Sequence, residues 1–207
     1  MRLKNICERS MGRISVSSSR LNLHLILLTL VRKSELGLAR WSHVDLAIGE
    51  WTVPGYLTKN KKPHTIYLSS QVSRMFGELK NLAGDSEFVL PGRGSHTRPF
   101  SGNAMNQAMG AITIPINPFT IHDLRRTAST LLHEQGFPSD VIEKALNHSI
   151  GGVRGVYNRA QYSEQRKQML QSWADYVGLL INSDVLDYQL NSESRTSSDL
   201  GEFEGTL

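Results

Sequence analysis

Residues 122–130 read HDLRRTAST, and they open a stretch that is otherwise patterned as an ordinary apolar helix. His122 and Arg125 lie three residues apart, so on a helix they share one face. Beside them Ile121, Leu124, Ala128, Leu131 and Leu132 recur at three- and four-residue steps. The pair falls in a first turn, where free backbone N–H groups and the helix macrodipole already favour an anion. Cations placed there are mildly unfavourable unless a phosphate or carboxylate joins them. This is either a solvated basic helix end or a place built to receive negative charge. Other chemistry-bearing residues stand at intervals along the chain: Arg32 and Glu35 in RKSE, Lys59 in TKNKKP, His148 in ALNH and Tyr157 in VRGVYNRA.

The elements that must position these residues are mostly helices. The apolar run LNLHLILLTLV predicts a buried helix over about 21–31, with another starting near Ser34. WTVPGYL and HTIYLS carry the β-branched and aromatic residues of strands, and TKNKKP supplies the turn of a hairpin. A helix follows over about 71–82. FVLPGRGSHTRPFS then reads as a short apolar stub and a Gly/Pro-rich loop, and 101–110 reads as helix. Thr120 is the expected N-cap of the His122 helix and Gly136 its stop. Pro138 opens the next helix, and SEQRKQMLQSWADYVGLL forms a last amphipathic one. The expected fold is mainly α with a small antiparallel β-sheet. Residues 1–19 read as a polar leader, 20–181 as one domain, and 182–207 as an acidic, disordered tail.

Bulk properties narrow the function. A chain of 207 residues with 39% hydrophobic content suits one domain, and no apolar run reaches the roughly 18 residues of a membrane span. The N-terminus lacks the apolar core of a signal peptide. A single cysteine, Cys7, excludes an internal disulfide and zinc sites built on cysteine pairs, and it fits a reducing cytoplasm. Residues 182–207 hold six acids against Arg195, so the first 181 residues carry +9 within a total of +4. A basic body points to a polyanionic partner, because neutralising phosphates releases counterions.

Taken in order, Arg32-x-x-Glu35, the hairpin Lys59, His122-x-x-Arg125, His148 and Tyr157 resemble the catalytic domain of the tyrosine recombinases, particularly phage and genomic-island integrases. The resemblance covers about residues 21–180 and includes ARWSHVDL, KPHTIYLS, HEQGFPSDVIEKALNH and YNRAQYSEQRKQMLQSWADYV. It implies a domain of that fold that cleaves and rejoins DNA through a 3′-phosphotyrosyl intermediate, without metal, ATP or other cofactor. Arg32 and Arg125 would compensate charge on the non-bridging oxygens, as planar, permanently charged donors can. His148 would add a hydrogen bond to the phosphate, and Tyr157 would attack phosphorus. A phenol with an ordinary pKa near 10 needs a cationic field or a base, and the resemblance gives His122 that proton. Lys59 would protonate the departing 5′-oxygen, and Glu35 would orient Arg32.

Each assignment has a plainer rival. Arg32 could be a helix-end arginine paired with Glu35. Lys61 and Lys62 share the turn with Lys59, and the register favours Lys59. Together with Arg126 they are read as DNA-binding residues, while Asp123 is read as a cap. Tyr162 and Tyr176 compete with Tyr157, which the spacing from His148 and the YNRA context favour. His64, His96 and His133 lack metal-ligand spacing and read as structural or surface residues.

The implied partner is double-stranded DNA, bound as a homo-tetramer with accessory DNA-bending proteins, in the cytoplasm at the nucleoid. A monomer is left open for the free protein. Residues 161–180 are the expected inter-protomer segment. Full-length family members also carry an N-terminal DNA-binding module, and only about twenty residues precede the first core helix here. That leaves two other readings: a shortened remnant that binds DNA or a partner without cleaving, and a nicking-closing activity of type IB topoisomerase kind.

Overall fold

The computed structural model describes residues 18–92, 95–110, 118–149 and 158–201, with backbone only for a few of them and for 183–201. The first helix, α1 (Ser18–Thr29), organises the rest. From Leu21 to Leu28 its apolar residues are buried on every side, among them Leu23, Leu25, Ile26 and Leu27. A helix that is apolar all round can only be central, and α3 (Ser70–Ala83), α4 (Gly102–Gly110), α5 (Ile121–Glu134) and α7 (Ser163–Gly201) pack around it. Trp173 of α7 is fully buried, and its indole N–H donates to the Leu27 carbonyl at 2.8 Å.

After α1 the chain turns through Leu30, whose φ of 59° is left-handed, into the short helix α2 (Lys33–Gly37). A three-stranded antiparallel sheet follows in the order β1 (Val44–Asp45), β2 (Glu50–Val53), β3 (His64–Tyr67). Trp51 pairs with Ile66 and both are buried, so one face of the sheet seals the core, with Trp51, Trp41 and Phe76 in ring contact. The β2 strand ends sooner than its composition suggests. Pro54 supplies no ladder donor, and Gly55–Leu57 form a 3₁₀ turn instead. At Gly55 a side chain would meet the Lys61 carbonyl at 2.6 Å, so glycine allows the hairpin tip to fold back on itself.

Three departures from the expected elements stand out. The two-residue strand β1 adds an edge too short to read from pattern. The segment expected to be a loop contains a second hairpin, β4 (Pro91–Gly92) with β5 (Ser95–Pro99). Prolines at its paired ends hid it, and they are tolerated because a two-stranded ribbon is all edge. Last, α7 continues as helical backbone to Gly201 through the segment expected to be disordered. No glycine or proline interrupts residues 179–200, so extending an already nucleated helix is cheap. The leader, apart from its last two residues, lies outside the described residues. Among the described residues, no helix is long and apolar enough to cross a membrane.

Candidate active site

The site is built on the end of a short helix. Helix α6 (Ser139–Ala145) starts after Pro138 and stops in a left-handed turn at Asn147, whose φ is 52°. The Asn147 N–H donates to the Lys144 carbonyl at 3.1 Å, and the His148 N–H reaches back to Glu143 at 2.9 Å. This is a Schellman ending, with asparagine where glycine is commonest. Such an ending leaves the last carbonyls of the helix free to accept from elsewhere, and the negative end of the helix dipole favours cations.

Three consecutive carbonyls are used in this way. Ala145 faces the buried His64 ring, with Nε2 at 3.2 Å. Leu146 accepts from Arg125 Nη2 at 2.8 Å, and Asn147 from Arg32 Nη2 at 3.5 Å. A strand, a helix and a connecting segment are thereby fastened to one turn.

Arg125 is only 3% exposed. Its other terminal nitrogen, Nη1, donates to the carbonyl of Leu30, which the left-handed turn after α1 presents. Its Nε has no partner among the described residues. Burial above all, then the nearby charge of Arg32, lowers its pKa to about 10, with Glu35 opposing. It stays cationic at neutral pH, but its environment is short of negative charge.

Arg32 is held by Glu35, which is almost fully buried: one carboxylate oxygen accepts from the Arg32 backbone N–H at 2.8 Å, the other from Nη1 at 3.1 Å. Glu35 is thus paired with Arg32 and acts on Arg125 only through its charge, so two guanidiniums face a single carboxylate. The uncompensated charge suits an arriving phosphate.

The remaining candidates surround this centre. Thr120 caps α5: its N–H and hydroxyl both donate to Asp123 Oδ2, at 2.9 and 2.8 Å. His122 follows on the exposed side of the first turn. Its pKa is lowered by partial desolvation first and by Arg125 next, so the neutral, proton-accepting form is favoured. His148 is exposed, and its Nδ1 lies 2.8 Å from Glu143 Oε2. A carboxylate can only accept, so Nδ1–H donates to it and the ring is held in one orientation.

Lys59 is exposed in the hairpin tip beside Asn60, whose Nδ2 donates to Asn147 Oδ1 at 2.8 Å. Lys61 (φ 59°) and Lys62 are exposed in the same tip, and the exposed Arg126 leans on Asp123 at 3.4 Å. A cavity of about 820 Å³ opens between the tip and α6, lined by Lys62, His64, Lys144, His148, Asn158 and Arg159 among others.

Tyr157 lies outside the described residues. Its neighbour Asn158 donates to Asp140 Oδ2 at 2.9 Å and to the Tyr162 hydroxyl at 2.7 Å. Tyr162 is thus engaged with Asp140 and Asn158, while Tyr176 packs against Trp173. His133 is exposed and bonds back to Ser129 within its helix, and the side chain of His96 is outside the described set. Among the described residues no group of three or more His, Cys, Asp or Glu could hold a metal.

Sequence reasoning missed Glu143, which resembles any surface acid five residues before a histidine, as well as Asn60 and Asn147. A lone asparagine before a histidine at a helix end is a readable sign of a left-handed turn. Which carbonyls that turn frees has no signature in side-chain types.

The model of the phage integrase family matches residues 1–164. The chain belongs to that family. It is 40% identical over 152 residues to the prophage integrase IntA of Escherichia coli K12, covering 73% of this chain and 37% of that protein. It is 34% identical over 151 residues to the integrase of Shigella phage Sf6, covering 72% and 39%. The chain thus spans about two fifths of the length of these relatives.

Among solved structures, the integrase of mycobacterium phage Brujita matches with a TM-score of 0.60 at 15% identity, over 81% of this chain and 55% of that one. XerA recombinase matches at 0.57 and 19% identity, over 82% and 62%. A lambda integrase dimer bound to a core site matches at 0.53 and 18%, over 81% and 46%. These likenesses establish the fold, the mainly α architecture with small antiparallel sheets of the recombinase catalytic domains.

Proposed function

We propose that residues 20–181 of this integrase-family chain form the catalytic domain of a site-specific DNA strand transferase, with 1–19 a leader and 182–207 an appended tail. The observation that supports it most is the pair of guanidiniums on the carbonyls that end α6, Arg125 buried and Arg32 beside it, with Glu35 paired to Arg32. A preorganised cation pair short of one negative charge is what a phosphodiester needs as it becomes five-coordinate.

The reaction follows from the groups at hand. Arg32 and Arg125 hold the non-bridging oxygens, and His148, oriented by Glu143 at its Nδ1, adds a hydrogen bond to the phosphate. His122 takes the phenolic proton as the Tyr157 oxygen attacks phosphorus. The bond to the 5′-oxygen breaks, and Lys59 supplies the proton that oxygen needs. The phosphotyrosyl bond conserves the phosphodiester energy, and attack on it by a partner 5′-hydroxyl rejoins the strand. Lys61, Lys62 and Arg126 contact flanking phosphates as exposed cations. No cofactor enters these steps.

The substrate is double-stranded DNA. The lambda integrase relative is a dimer on a core site in its solved structure. A homo-tetramer on two duplexes, aided by DNA-bending proteins, is the working assembly proposed for this chain.

The test is a nicked duplex carrying the chain's attachment site, arranged so that the cleaved strand diffuses away. A denaturant-resistant protein–DNA adduct from the wild type, lost in Tyr157→Phe with binding retained, supports the reading. DNA binding without any wild-type adduct would point instead to a non-cleaving remnant. Supercoil relaxation without recombinant products would point to nicking-closing activity.

A further inference from the structure

We infer that Asn60 and Asn147 form a clasp that sets the position of Lys59 against the scissile phosphate, making both asparagines positioning residues for leaving-group protonation. This rests on the assignment of Lys59 as the acid in the proposed reaction.

The geometry is specific. A lysine at an exposed hairpin tip has four rotatable side-chain bonds, and a free tip would add backbone motion to them. Here the tip is fixed from within and from without. The buried Thr58 hydroxyl lies 2.9 Å from the Gly55 carbonyl and 2.8 Å from the Lys62 carbonyl. On the other side of Lys59, Asn60 Oδ1 accepts from the Lys62 N–H at 3.1 Å, while Asn60 Nδ2 donates to Asn147 Oδ1.

Asn147 is not an arbitrary anchor. Its own carbonyl receives Arg32, the preceding carbonyl receives Arg125, and the next residue is His148. The clasp therefore connects the backbone carrying the acid directly to the turn carrying the phosphate-binding groups. Lower down, His64 against Ala145 joins the same two elements at the base of the hairpin. With the base already held, the bond between the asparagines governs the tip. A displacement of about an ångström there is enough to cost a proton transfer that requires hydrogen-bond distance.

The left-handed backbone at Asn147 makes a clean variant available. Glycine adopts φ of 52° without strain, so Asn147→Gly removes the side-chain bond and keeps the carbonyl that Arg32 uses. Asn60→Ala removes the same bond from the other end, together with the Lys62 N–H bond to Oδ1. The readout separates the acid from everything else. In the normal step the Tyr157 oxygen–phosphorus bond forms, the phosphorus–5′-oxygen bond breaks, and a Lys59 ammonium proton moves to that oxygen. When sulfur replaces the bridging 5′-oxygen, a thiolate departs. It is a much weaker base than an alkoxide and needs no proton.

The experiment measures single-turnover adduct formation by wild type, Lys59→Ala, Asn147→Gly, Asn60→Ala and the double asparagine variant, on matched oxygen and sulfur substrates. The expected result is a loss of about tenfold or more for each asparagine variant on oxygen, and a rate within about threefold of wild type on sulfur. The double variant should be no slower than the slower single variant, because the bond that Asn147→Gly breaks is already lost in Asn60→Ala. Lys59→Ala should lose more on oxygen and recover on sulfur.

If Lys59→Ala recovers on sulfur while Asn147→Gly and Asn60→Ala stay slow on both substrates, the clasp is structural and the inference falls. It falls equally if neither asparagine variant slows cleavage of the oxygen substrate. If Lys59→Ala itself does not recover on sulfur, the assignment of the acid fails, and that result is distinct from the other two.

Discussion

His122 and Arg125 leave the first turns of one helix three residues apart and enter opposite environments. Arg125 is buried against two carbonyls donated by distant parts of the chain, whereas His122 stays on the exposed side of α5. The same contrast separates Arg32, fastened to the buried Glu35, from Lys59 and His148, which are both exposed. The two arginines proposed to hold charge are fastened into the fold, Arg125 buried and Arg32 half-buried, whereas the proposed proton carriers His122 and Lys59 stand at its edge, as does the phosphate donor His148. The division is physically reasonable. Stabilising developing charge is effective when the donors need no reorganisation, whereas a proton donor or acceptor must meet an oxygen that arrives with the substrate. The end of α6 serves both groups. Its free carbonyls hold the arginines, and its closing turn presents His148 and engages the lysine-bearing tip.

Replacing Arg125 by lysine tests the buried half most severely. Lysine keeps the charge but cannot reach both the Leu30 and Leu146 carbonyls with a planar fork. Adduct formation should fall by about 10²–10³ while duplex affinity changes less than threefold. Equal losses in gel-shift affinity and cleavage would make Arg125 a DNA anchor.

Glu35→Gln leaves Arg32 without its carboxylate partner and Arg125 without the nearby negative charge that opposes its depressed pKa. Thermal or urea unfolding should show a loss of about 1–3 kcal/mol, with slower cleavage. Unchanged stability would mean that Arg32 does not depend on this pairing.

The buried His64 offers a test by pH. Burial lowers its pKa to about 3, from 6.5 in an unfolded chain. Between those values the unfolded state carries the extra proton, so this contribution is complete above pH 6.5 and is lost as pH falls. One such group costs about 2 kcal/mol by pH 5. His24, lowered by burial to about 4, acts in the same direction. A His64→Gln variant should show a shallower decline in unfolding free energy between pH 7 and 5, and an unchanged slope would contradict the assignment.

The exposed half gives the smallest effect. With desolvation and then Arg125 lowering the pKa of His122, the acid limb of cleavage at sub-saturating DNA should lie below pH 6.5 and disappear in His122→Gln. A limb above that value, or one that survives the substitution, would assign the base elsewhere.

How far the sequence could be read follows the same division. Side chains with a fixed spacing were legible: H-x-x-R and the capped start of α5 stand on the helix that periodicity implied, and R-x-x-E spans the start of α2 with Arg32 as its N-cap. The central apolar helix was equally clear, because LNLHLILLTLV admits no solvated face. Backbone contributions were not. Nothing in the composition of Leu30 or Leu146 tells that its carbonyl holds Arg125, because every residue has a carbonyl and only the left-handed turns aim these two. The β4–β5 hairpin was hidden by prolines that argue against strands, and Glu143 by its likeness to an ordinary surface acid. Asn147 was within reach: an asparagine just past a short helix is a readable left-handed stop.

The most direct test of a tyrosine serving this arginine-lined site is to digest the protein–DNA adduct and sequence the peptide that carries the nucleotide. The account predicts one modified residue, Tyr157, in the peptide containing VYNR, and no adduct from Arg125→Ala. Nucleotide attached to Tyr162 or Tyr176, or an adduct that forms at the wild-type rate without Arg125, would contradict it.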